Sequence, residues 1–308
     1  MVSILMATYN GEKYISEQLD SLFAQTFTDF TLYIQDDKST DSTMCILMDY
    51  QKKYPEKIVL TQLEKNTGSA KHNFLKLMSE IQDDYIMLCD QDDVWHPNKT
   101  EITLSKIRLM EKEHPGQPVL VFTDLTVVDE KLNTVNTSYI EAMNSDYSHT
   151  AFQQILIQNV LTGCTAMYNR KVSELLKSRV PKYCIMHDWW LLLVSSAFAE
   201  ISHISDQTIL YRQHDRNSVG AKDVRTLSYK INRLIDGRDV KLAIQETYPQ
   251  AESFLEVYRD MLSPWQIEVV KLYCTIPNVN KLKRWLTVRR IGSFKIGVTR
   301  NIAYFIFI

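Results

Sequence analysis

Three aspartates follow an apolar run in the first third of the chain. Residues 85–89 are typical of a buried strand, and Asp90, Asp92 and Asp93 come directly after it. Carboxylates this close repel one another, and they are costly to keep near a core unless a cation neutralises them. Their oxygens suit Mg²⁺ or Mn²⁺, which typically also bind substrate phosphates. A solvated acidic turn is the alternative interpretation, and the run alone does not decide between the two.

Two other strand ends carry side chains that suit a nucleotide. Tyr9 follows the apolar run 2–7, and Asp36 and Asp37 follow the β-rich run 30–34. An aspartate can accept a hydrogen bond from the imide N–H of uracil or thymine, or from ribose hydroxyls. An aromatic ring can stack on a base. An aromatic lid over the sheet edge and helix capping are the ordinary alternatives for these residues.

Short apolar runs alternate with amphipathic segments over residues 1–125. We predict helices near residues 14–23, 44–48, 70–81 and 102–110, and strands at 2–7, 30–34, 58–60, 85–89, 119–122 and 208–211. This alternation predicts βαβ units and a mainly parallel sheet. Ligands bind outside the carboxyl ends of such strands, where the acidic residues lie.

Composition excludes several classes of protein. The chain has 308 residues, 45% of them hydrophobic, which argues against disorder. A net charge of −2 provides no basic field for nucleic acid. The first strand is followed by no glycine-rich phosphate loop, which argues against a dinucleotide-binding or P-loop protein. The five cysteines form no CxxC pair, so we expect neither a zinc site nor a disulfide framework. Their odd number and spacing fit a protein of a reducing compartment.

Several short motifs together resemble a known family. They are Ala7-Thr-Tyr-Asn-Gly11, Gln35-Asp-Asp-Lys-Ser-Thr-Asp41, Asn66-Thr-Gly68, Cys89-Asp-Gln-Asp-Asp-Val-Trp95, Thr123-Asp124, Gly163-Cys164, His187-Asp-Trp-Trp190 and Tyr211-Arg-Gln-His214. In order and spacing they resemble the inverting family 2 glycosyltransferases of GT-A fold. The resemblance implies an α/β fold with a mixed, mainly parallel sheet flanked by helices, followed here by a C-terminal helical extension.

The resemblance assigns roles to the residues that match the motifs. It implies that Thr8, Tyr9, Asp37 and Asp90 bind the donor nucleotide, and that Asp92 binds a divalent metal, Mn²⁺ or Mg²⁺. His214 follows a predicted strand, and we expect it to bind the metal or to contact the diphosphate. It makes Asp188 the catalytic base that accepts the proton of the acceptor hydroxyl. We also expect Arg212 to contact the diphosphate, and Trp189 and Trp190 to divide between the core and a sugar-stacking platform.

Two positions depart from the family pattern. Lys38 stands where the family's Asp-Asp-Gly-Ser segment has glycine, which leaves the path of this loop open. His187 replaces the glutamate of a Glu-Asp-like pair, so that Asp188 alone takes the role of the base. A helix-start aspartate favoured by the helix dipole is the ordinary alternative for Asp188.

The Cys89–Trp95 motif, together with the Tyr-Arg-Gln-His ending, looks like bacterial rhamnosyltransferases of streptococcal type that build cell-wall rhamnose polysaccharide. This likeness implies transfer of L-rhamnose from dTDP-L-rhamnose to a lipid-linked cell-wall or capsular glycan. Three alternatives stay open: a UDP-hexose donor, a non-catalytic sugar-nucleotide-binding subunit of an assembly complex, and a nucleotidyltransferase. The last lacks its glycine-rich phosphate loop.

We predict a catalytic domain over residues 1–220, with a nucleotide-sugar-binding half (1–125) and an acceptor-binding half (126–220), and a helical region over 221–308. Residues 281–308 hold seven basic residues, several aromatic ones and no acidic one. Basic and aromatic residues favour an anionic membrane surface, although a helix packed on the acidic body is the alternative. We therefore expect a cytoplasmic enzyme, peripheral on the inner face of the cell membrane. A homo-oligomer stays open.

Overall fold

One mixed β-sheet is the scaffold of the N-terminal part of the chain. The computed structural model describes residues 1–214 and 237–308. The strands are β1 (Val2–Thr8), β2 (Phe30–Asp36), β3 (Ile58–Gln62), β4 (Tyr85–Cys89), β5 (Val94–Trp95), β6 (Val119–Val128), β7 (Thr134–Asn136), β8 (Ala166–Asn169) and β9 (Glu200–Arg212). Their order in the sheet is β3-β2-β1-β4-β8-β6-β9-β5, and β7 pairs with β6.

The first four strands confirm the predicted parallel half of the sheet. β1 pairs in parallel with both β2 and β4, and β2 pairs in parallel with β3. The connections between them contain α1 (Ile15–Phe23), α2 (Thr43–Lys53) and α3 (Ala70–Glu80), and α4 (Lys99–Glu113) lies between β5 and β6. Every residue of β1 is buried, as expected for a central strand covered on both faces.

The sheet continues beyond the elements that the sequence predicts. β8 pairs antiparallel with both β4 and β6, and β9 pairs in parallel with β6 over most of its length. β8 is only four residues long and buried throughout, so it has no alternation to reveal it. β6 runs on to Val128, so residue 125, the expected end of the nucleotide-binding half, lies inside a strand.

The described chain divides into two compact units. The first contains Met1–Tyr139, Thr162–Ser178 and, of its last segment, residues 199–214, and it holds the whole sheet. The second contains Ile140–Leu161, Arg179–Phe198 and residues 237–308. The predicted boundary between residues 220 and 221 lies outside the described residues.

Helices make up the second unit, as predicted for the C-terminal region over residues 237–308. The remaining helices of the described chain are α5 (Tyr139–Ala142), α6 (Phe152–Ile155), α7 (Arg170–Leu176), α8 (His187–Phe198), α9 (Arg238–Gln245), α10 (Thr247–Tyr258), α11 (Pro264–Thr275), α12 (Lys281–Ile291) and α13 (Val298–Phe307). Among the described residues, none of the helices combines the length and the apolar character that a membrane span needs.

Candidate functional site

The ends of β1, β2 and β4 bring the predicted polar residues together at one edge of the sheet. Because these strands are adjacent and parallel, Thr8 pairs with Asp36 in the sheet, and the residues after Cys89 emerge beside them. The Thr8 hydroxyl donates to Asp36 Oδ1 at 3.0 Å, and the Asp37 N–H donates to the Thr8 carbonyl at 2.8 Å. These residues therefore form a connected, buried polar network at the edge.

Asp36 organises the loop that follows β2. Its buried carboxylate accepts from the Ser39 N–H at 2.8 Å and from the Gln62 amide at 3.0 Å, besides Thr8. Lys38, which replaces the family's glycine, has φ +61°. The loop thus keeps a left-handed backbone at this position, although an L side chain costs about 1–2 kcal/mol there.

Asp37 is also buried, and it faces the segment after β3. The Thr67 N–H donates to Asp37 Oδ1 at 2.7 Å, and the Thr67 hydroxyl donates to Oδ2 at 2.8 Å. The Asn66 amide donates to the Asp37 carbonyl at 2.8 Å. A carboxylate has about four lone-pair sites, so these bonds orient Asp37 and still leave it able to accept from a ligand.

Gln91 holds the backbone of Tyr9, a contact that the sequence analysis missed. The Tyr9 N–H donates to Gln91 Oε1 at 2.9 Å, and Gln91 Nε2 donates to the Tyr9 carbonyl at 3.0 Å. A Cβ on Gly11 would lie 2.5 Å from Gln91 Oε1, so glycine leaves room for this amide. Tyr9 itself is 46% exposed, as a ring that stacks on a base must be.

The aspartates of the loop after β4, which we call the acidic loop (residues 90–93), differ in burial. Asp90 and Asp92 are half-buried, whereas Asp93 is fully buried. Burial and the neighbouring carboxylates raise the pKa of Asp93 well above its ordinary value, against hydrogen bonds from the Arg212 N–H and the Cys164 thiol. Holding three acidic side chains here is therefore costly, as the sequence predicted.

Two separate sets of residues at this loop can bind a cation. The predicted pair is in contact, because His214 Nε2 lies 2.8 Å from Asp92 Oδ2. Ligand atoms of Asp90, Asp93 and Cys164 also lie within 4.8 Å of one another. The carboxylate oxygens fit Mg²⁺ or Mn²⁺, whereas a thiol prefers softer metals. The half-buried carboxylates of Asp90 and Asp92 are therefore compatible with the hard divalent cation expected at this loop.

Arg212, which we expect to contact the diphosphate, is engaged by protein partners in the structure. Arg212 is only 1% exposed, and its Nε donates to the Asp92 carbonyl at 2.9 Å. Its Nη1 donates to the Glu130 carbonyl at 2.7 Å, and its Nη2 pairs with Glu17 of α1. These bonds hold the guanidinium within the protein. Arg212 joins the end of β9 to the acidic loop and to α1.

Asp188, the predicted base, lies in the first turn of α8 in the second unit. It is half-buried, and its Oδ1 accepts from the Trp189 N–H at 2.6 Å. Burial lowers the pKa of His187 to about 3, so this imidazole is neutral at physiological pH. Of the two neighbours, only Asp188 is a carboxylate able to accept a proton.

The two tryptophans have different environments. Trp190 is fully buried in the second unit, and its ring centre lies 5.8 Å from that of Phe254 and 6.0 Å from that of Tyr258. Of the two tryptophans, Trp190 is therefore the one that belongs to the core, because core residues cover its ring. Trp189 is half-buried, and its indole N–H donates to the Ile155 carbonyl at 2.7 Å.

Sequence comparison decides the family. The profile of Glycosyl transferase family 2 matches residues 3–176, more than half of the chain. The chain is a family 2 glycosyltransferase. It is 30% identical over 237 residues to the "dTDP-rhamnosyl transferase RfbG" of Shigella flexneri, which covers 73% of this chain and 77% of that one. An uncharacterized glycosyltransferase of Nostoc is 24% identical over 227 residues, 70% of this chain and 66% of its own.

Solved structures support the GT-A fold of this glycosyltransferase. Staphylococcus aureus TarS 1–349 in complex with UDP-GlcNAc has a TM-score of 0.55 at 16% identity, covering 95% of this chain and 92% of that one. The mannosyltransferase PcManGT from Pyrobaculum calidifontis, in complex with GDP-Man and Mn²⁺, has a TM-score of 0.51 at 14% identity, covering 94% and 79%. At these identities the likeness is one of fold.

Besides Gln91, sequence reasoning missed a buried cation beneath the acidic loop of this glycosyltransferase. Lys99, in the first turn of α4, is fully buried, with Nζ 4.5 Å from the centre of the Trp95 ring. Burial lowers the pKa of Lys99 to about 8, against the opposing influence of nearby Cys164, Cys89 and Asp93. A lysine two residues after a proline looks like an ordinary exposed helix residue, so no pattern marks it.

Proposed function

We propose that this glycosyltransferase transfers L-rhamnose from dTDP-L-rhamnose, with inversion, to a hydroxyl of a lipid-linked cell-wall or capsular glycan. One observation carries the proposal. The acidic loop and Tyr9, whose backbone is held by Gln91, lie at one edge of the sheet. The chain is also 30% identical to a dTDP-rhamnosyl transferase over 237 residues.

The donor nucleotide would lie at the carboxyl edge of the sheet. The exposed ring of Tyr9 would stack on the base, and Asp37 would accept the imide N–H of thymine. Asp90 would face the ribose. Thr8 contributes indirectly, because its hydroxyl holds the Asp36 carboxylate that shapes the loop containing Asp37.

The diphosphate would lie against the acidic loop. Asp92 and His214, already in contact, are the residues that would hold a divalent cation with Asp90 nearby. When bound, such a cation supplies positive charge to the departing diphosphate. Arg212 would keep Asp92 in place through the hydrogen bond to its carbonyl and through the Glu17 ion pair.

Asp188 would act as the general base. As the acceptor oxygen forms its bond to the anomeric carbon, its proton passes to the Asp188 carboxylate and the bond to the dTDP oxygen breaks. One base and one displacement invert the anomeric centre, so no protein nucleophile is needed. His187 would stay neutral beside it, because its pKa is lowered to about 3.

Hydrolysis of a donor panel tests the proposal. Purified enzyme is incubated with dTDP-rhamnose, UDP-glucose, UDP-GlcNAc and GDP-mannose, with Mn²⁺ or Mg²⁺, and nucleotide release is measured. We expect release from dTDP-rhamnose above all others. A clear preference for a UDP- or GDP-sugar would overturn the rhamnosyl assignment, and binding without turnover of any donor would favour a non-catalytic subunit.

Removal of the cation is the matching test of the site. Excess EDTA should abolish turnover reversibly, and Asp92→Ala should weaken donor binding and remove turnover together. Asp49→Ala is the control, because Asp49 is an exposed carboxylate on α2 that pairs with Lys52. Full activity in EDTA would contradict the metal assignment.

A further inference from the structure

Two neighbouring helices at the C-terminus expose rows of apolar side chains. We call this surface the tail face. It consists of Leu282, Trp285 and Leu286 on α12 and Val298, Ile302 and Ile306 on α13. Exposed aliphatic residues are ordinary when scattered, but a grouped set marks a surface that contacts something apolar.

The α12 part of the tail face is one side of an amphipathic helix. Leu282 is 65% exposed and Leu286 is 58% exposed, and at about 100° per residue they point in nearly the same direction. Val288 and Ile291, on the opposite side, are buried. The helix is thus anchored to the second unit by one side while its other apolar side stays in solvent.

α13 repeats this arrangement. Val298 is 75% exposed, and Ile302 follows four residues later on the same side, while Tyr304 on the other side is fully buried. The indole N–H of Trp285 donates to the Phe305 carbonyl at 2.9 Å, and the two rings meet edge to face with centres 6.0 Å apart. These contacts join the two helices, so the two exposed rows belong to helices that touch one another.

Exposed cations lie on the α12 part of the tail face. Lys281, Lys283 and Arg289 are exposed on α12 beside the leucines, in a segment of 28 residues that has no acidic residue. Arg290 is also exposed and pairs with Glu268 at the surface, whereas the half-buried Arg300 donates to the Asn144 carbonyl at 2.7 Å. The exposed cations are therefore concentrated where the apolar residues are.

We propose that the tail face docks on the surface of an anionic bilayer, with its aliphatic side chains at the acyl boundary and its lysines among the headgroups. Apolar area flanked by lysine and arginine fits this surface, because each basic residue adds attraction to anionic lipid and each buried CH₂ adds hydrophobic free energy. Helices of 11 and 10 residues are too short to span, so the contact is interfacial. The proposal rests on the proposed function only because a lipid-linked acceptor lies at a membrane. Docking itself does not depend on the transfer of the sugar.

Deleting the tail is a poor test, because Val288 and Tyr304 belong to the core of the second unit. Point substitutions on exposed residues avoid this problem. The triple variant Leu282→Ser/Leu286→Ser/Ile302→Ser should lower binding to phosphatidylglycerol-containing vesicles, measured by co-sedimentation, by more than about 50-fold. Leu242→Ser on α9 is the matched control, since Leu242 is also 58% exposed, and it should bind like the wild type.

A charge variant separates the electrostatic part. Lys281→Gln/Lys283→Gln/Arg289→Gln should weaken binding by roughly fivefold per residue at low salt, and should remove most of the salt dependence. Lys241→Gln is its control. Pure phosphatidylcholine vesicles should bind the wild type weakly.

Three results would overturn the proposal. The first is unchanged vesicle binding by the triple serine variant, and the second is equal binding of the wild type to neutral and anionic vesicles. The third is a lower molar mass of the triple serine variant than of the wild type in the absence of lipid, because the tail face would then be a contact between copies of the chain. Donor binding is measured in parallel. Vesicle binding without rhamnose transfer would refute the proposed function alone, and transfer without vesicle binding would refute the tail face alone.

Discussion

The polar side chains at the sheet edge fall into two groups that differ in exposure. Tyr9 presents nearly half of its surface to solvent, whereas Arg212 and Asp93 are buried among protein partners. A ligand can touch the first directly. The other two act through the chain segments that they hold, since the Arg212 N–H donates to Asp93 Oδ1 at 3.1 Å and its Nε donates to the Asp92 carbonyl.

The Gln91 clamp yields a prediction about donor affinity. Gln91→Ala removes both hydrogen bonds to the Tyr9 backbone, each worth about 0.5–1.5 kcal/mol, so donor binding should weaken roughly tenfold while kcat changes less. Gly11→Ala should have a similar effect by displacing the same amide. Calorimetry with dTDP measures both. Gln51→Ala, distant on α2, is the control, and an unchanged Kd in Gln91→Ala would refute the clamp.

Substitution of the proposed base predicts a loss confined to the chemical step. Asp188→Asn keeps the shape of the side chain but cannot accept the proton, so kcat should fall about 10²–10⁴-fold with donor Kd nearly unchanged. Steady-state kinetics and calorimetry give the two values. Glu252→Gln on α10 is the control carboxylate of the same unit. Turnover by Asp188→Asn at the wild-type rate would mean that another group takes the proton.

At the scale of elements, loops rather than strands define the site. β1, β2 and β4 place their ends side by side, but hydrogen bonds that Ser39 donates to Asp36 and Thr67 donates to Asp37 give the following loops their paths. The β2 loop includes Lys38 at φ +61°, where the family pattern has glycine. The loop therefore carries backbone strain that its hydrogen bonds offset.

Lys38 provides a test of this strain. Lys38→Gly and Lys38→Ala both lose the hydrogen bond from Lys38 Nζ to the Glu64 carbonyl, but only glycine relieves the left-handed backbone. The glycine variant should be more stable than the alanine variant by about 1 kcal/mol. Urea denaturation measures the difference. Equal stability of the two variants would indicate that the loop does not hold a positive φ here.

At the scale of the whole molecule, a sheet-based unit and a helical unit each have their own buried titratable group. Lys99 lies beneath the acidic loop of the first, and His187 begins α8 in the second. Burial disfavours the charged form of both side chains and lowers their pKa values. Stability should therefore depend on pH through both units.

His187 predicts sensitivity to acid. Its pKa is lowered from 6.5 to about 3, so between these values the unfolded chain binds a proton that the folded chain excludes. Stability from this group is present above pH 6.5 and is lost as the pH falls toward 3. As the pH falls from 6.5 toward 3, the free energy of unfolding of the His187→Gln variant should decrease by about 2–4 kcal/mol less than that of the wild type. Denaturant titrations at pH 7 and pH 4 compare the proteins, and parallel losses would contradict the assignment.

The sequence by itself determined the family, the parallel half of the sheet and most of the polar residues at its edge. Local signals suffice for these features, because a buried parallel strand is a continuous apolar run and its carboxyl end is where the polar residues begin. The strands β1 to β4 and the motifs around Asp37 and Asp90 are all predicted by these local signals.

Tertiary structure alone decided which residues of the motifs are exposed and which are buried. Arg212 and Trp190 match their motifs as well as Tyr9 does, yet both are buried, because burial depends on partners distant in the chain such as Glu17 and Phe254. The same reason explains β8, which exists through pairing with β4 and β6 rather than through its own four residues. Periodicity reports the face of an element, but only packing decides what covers that face.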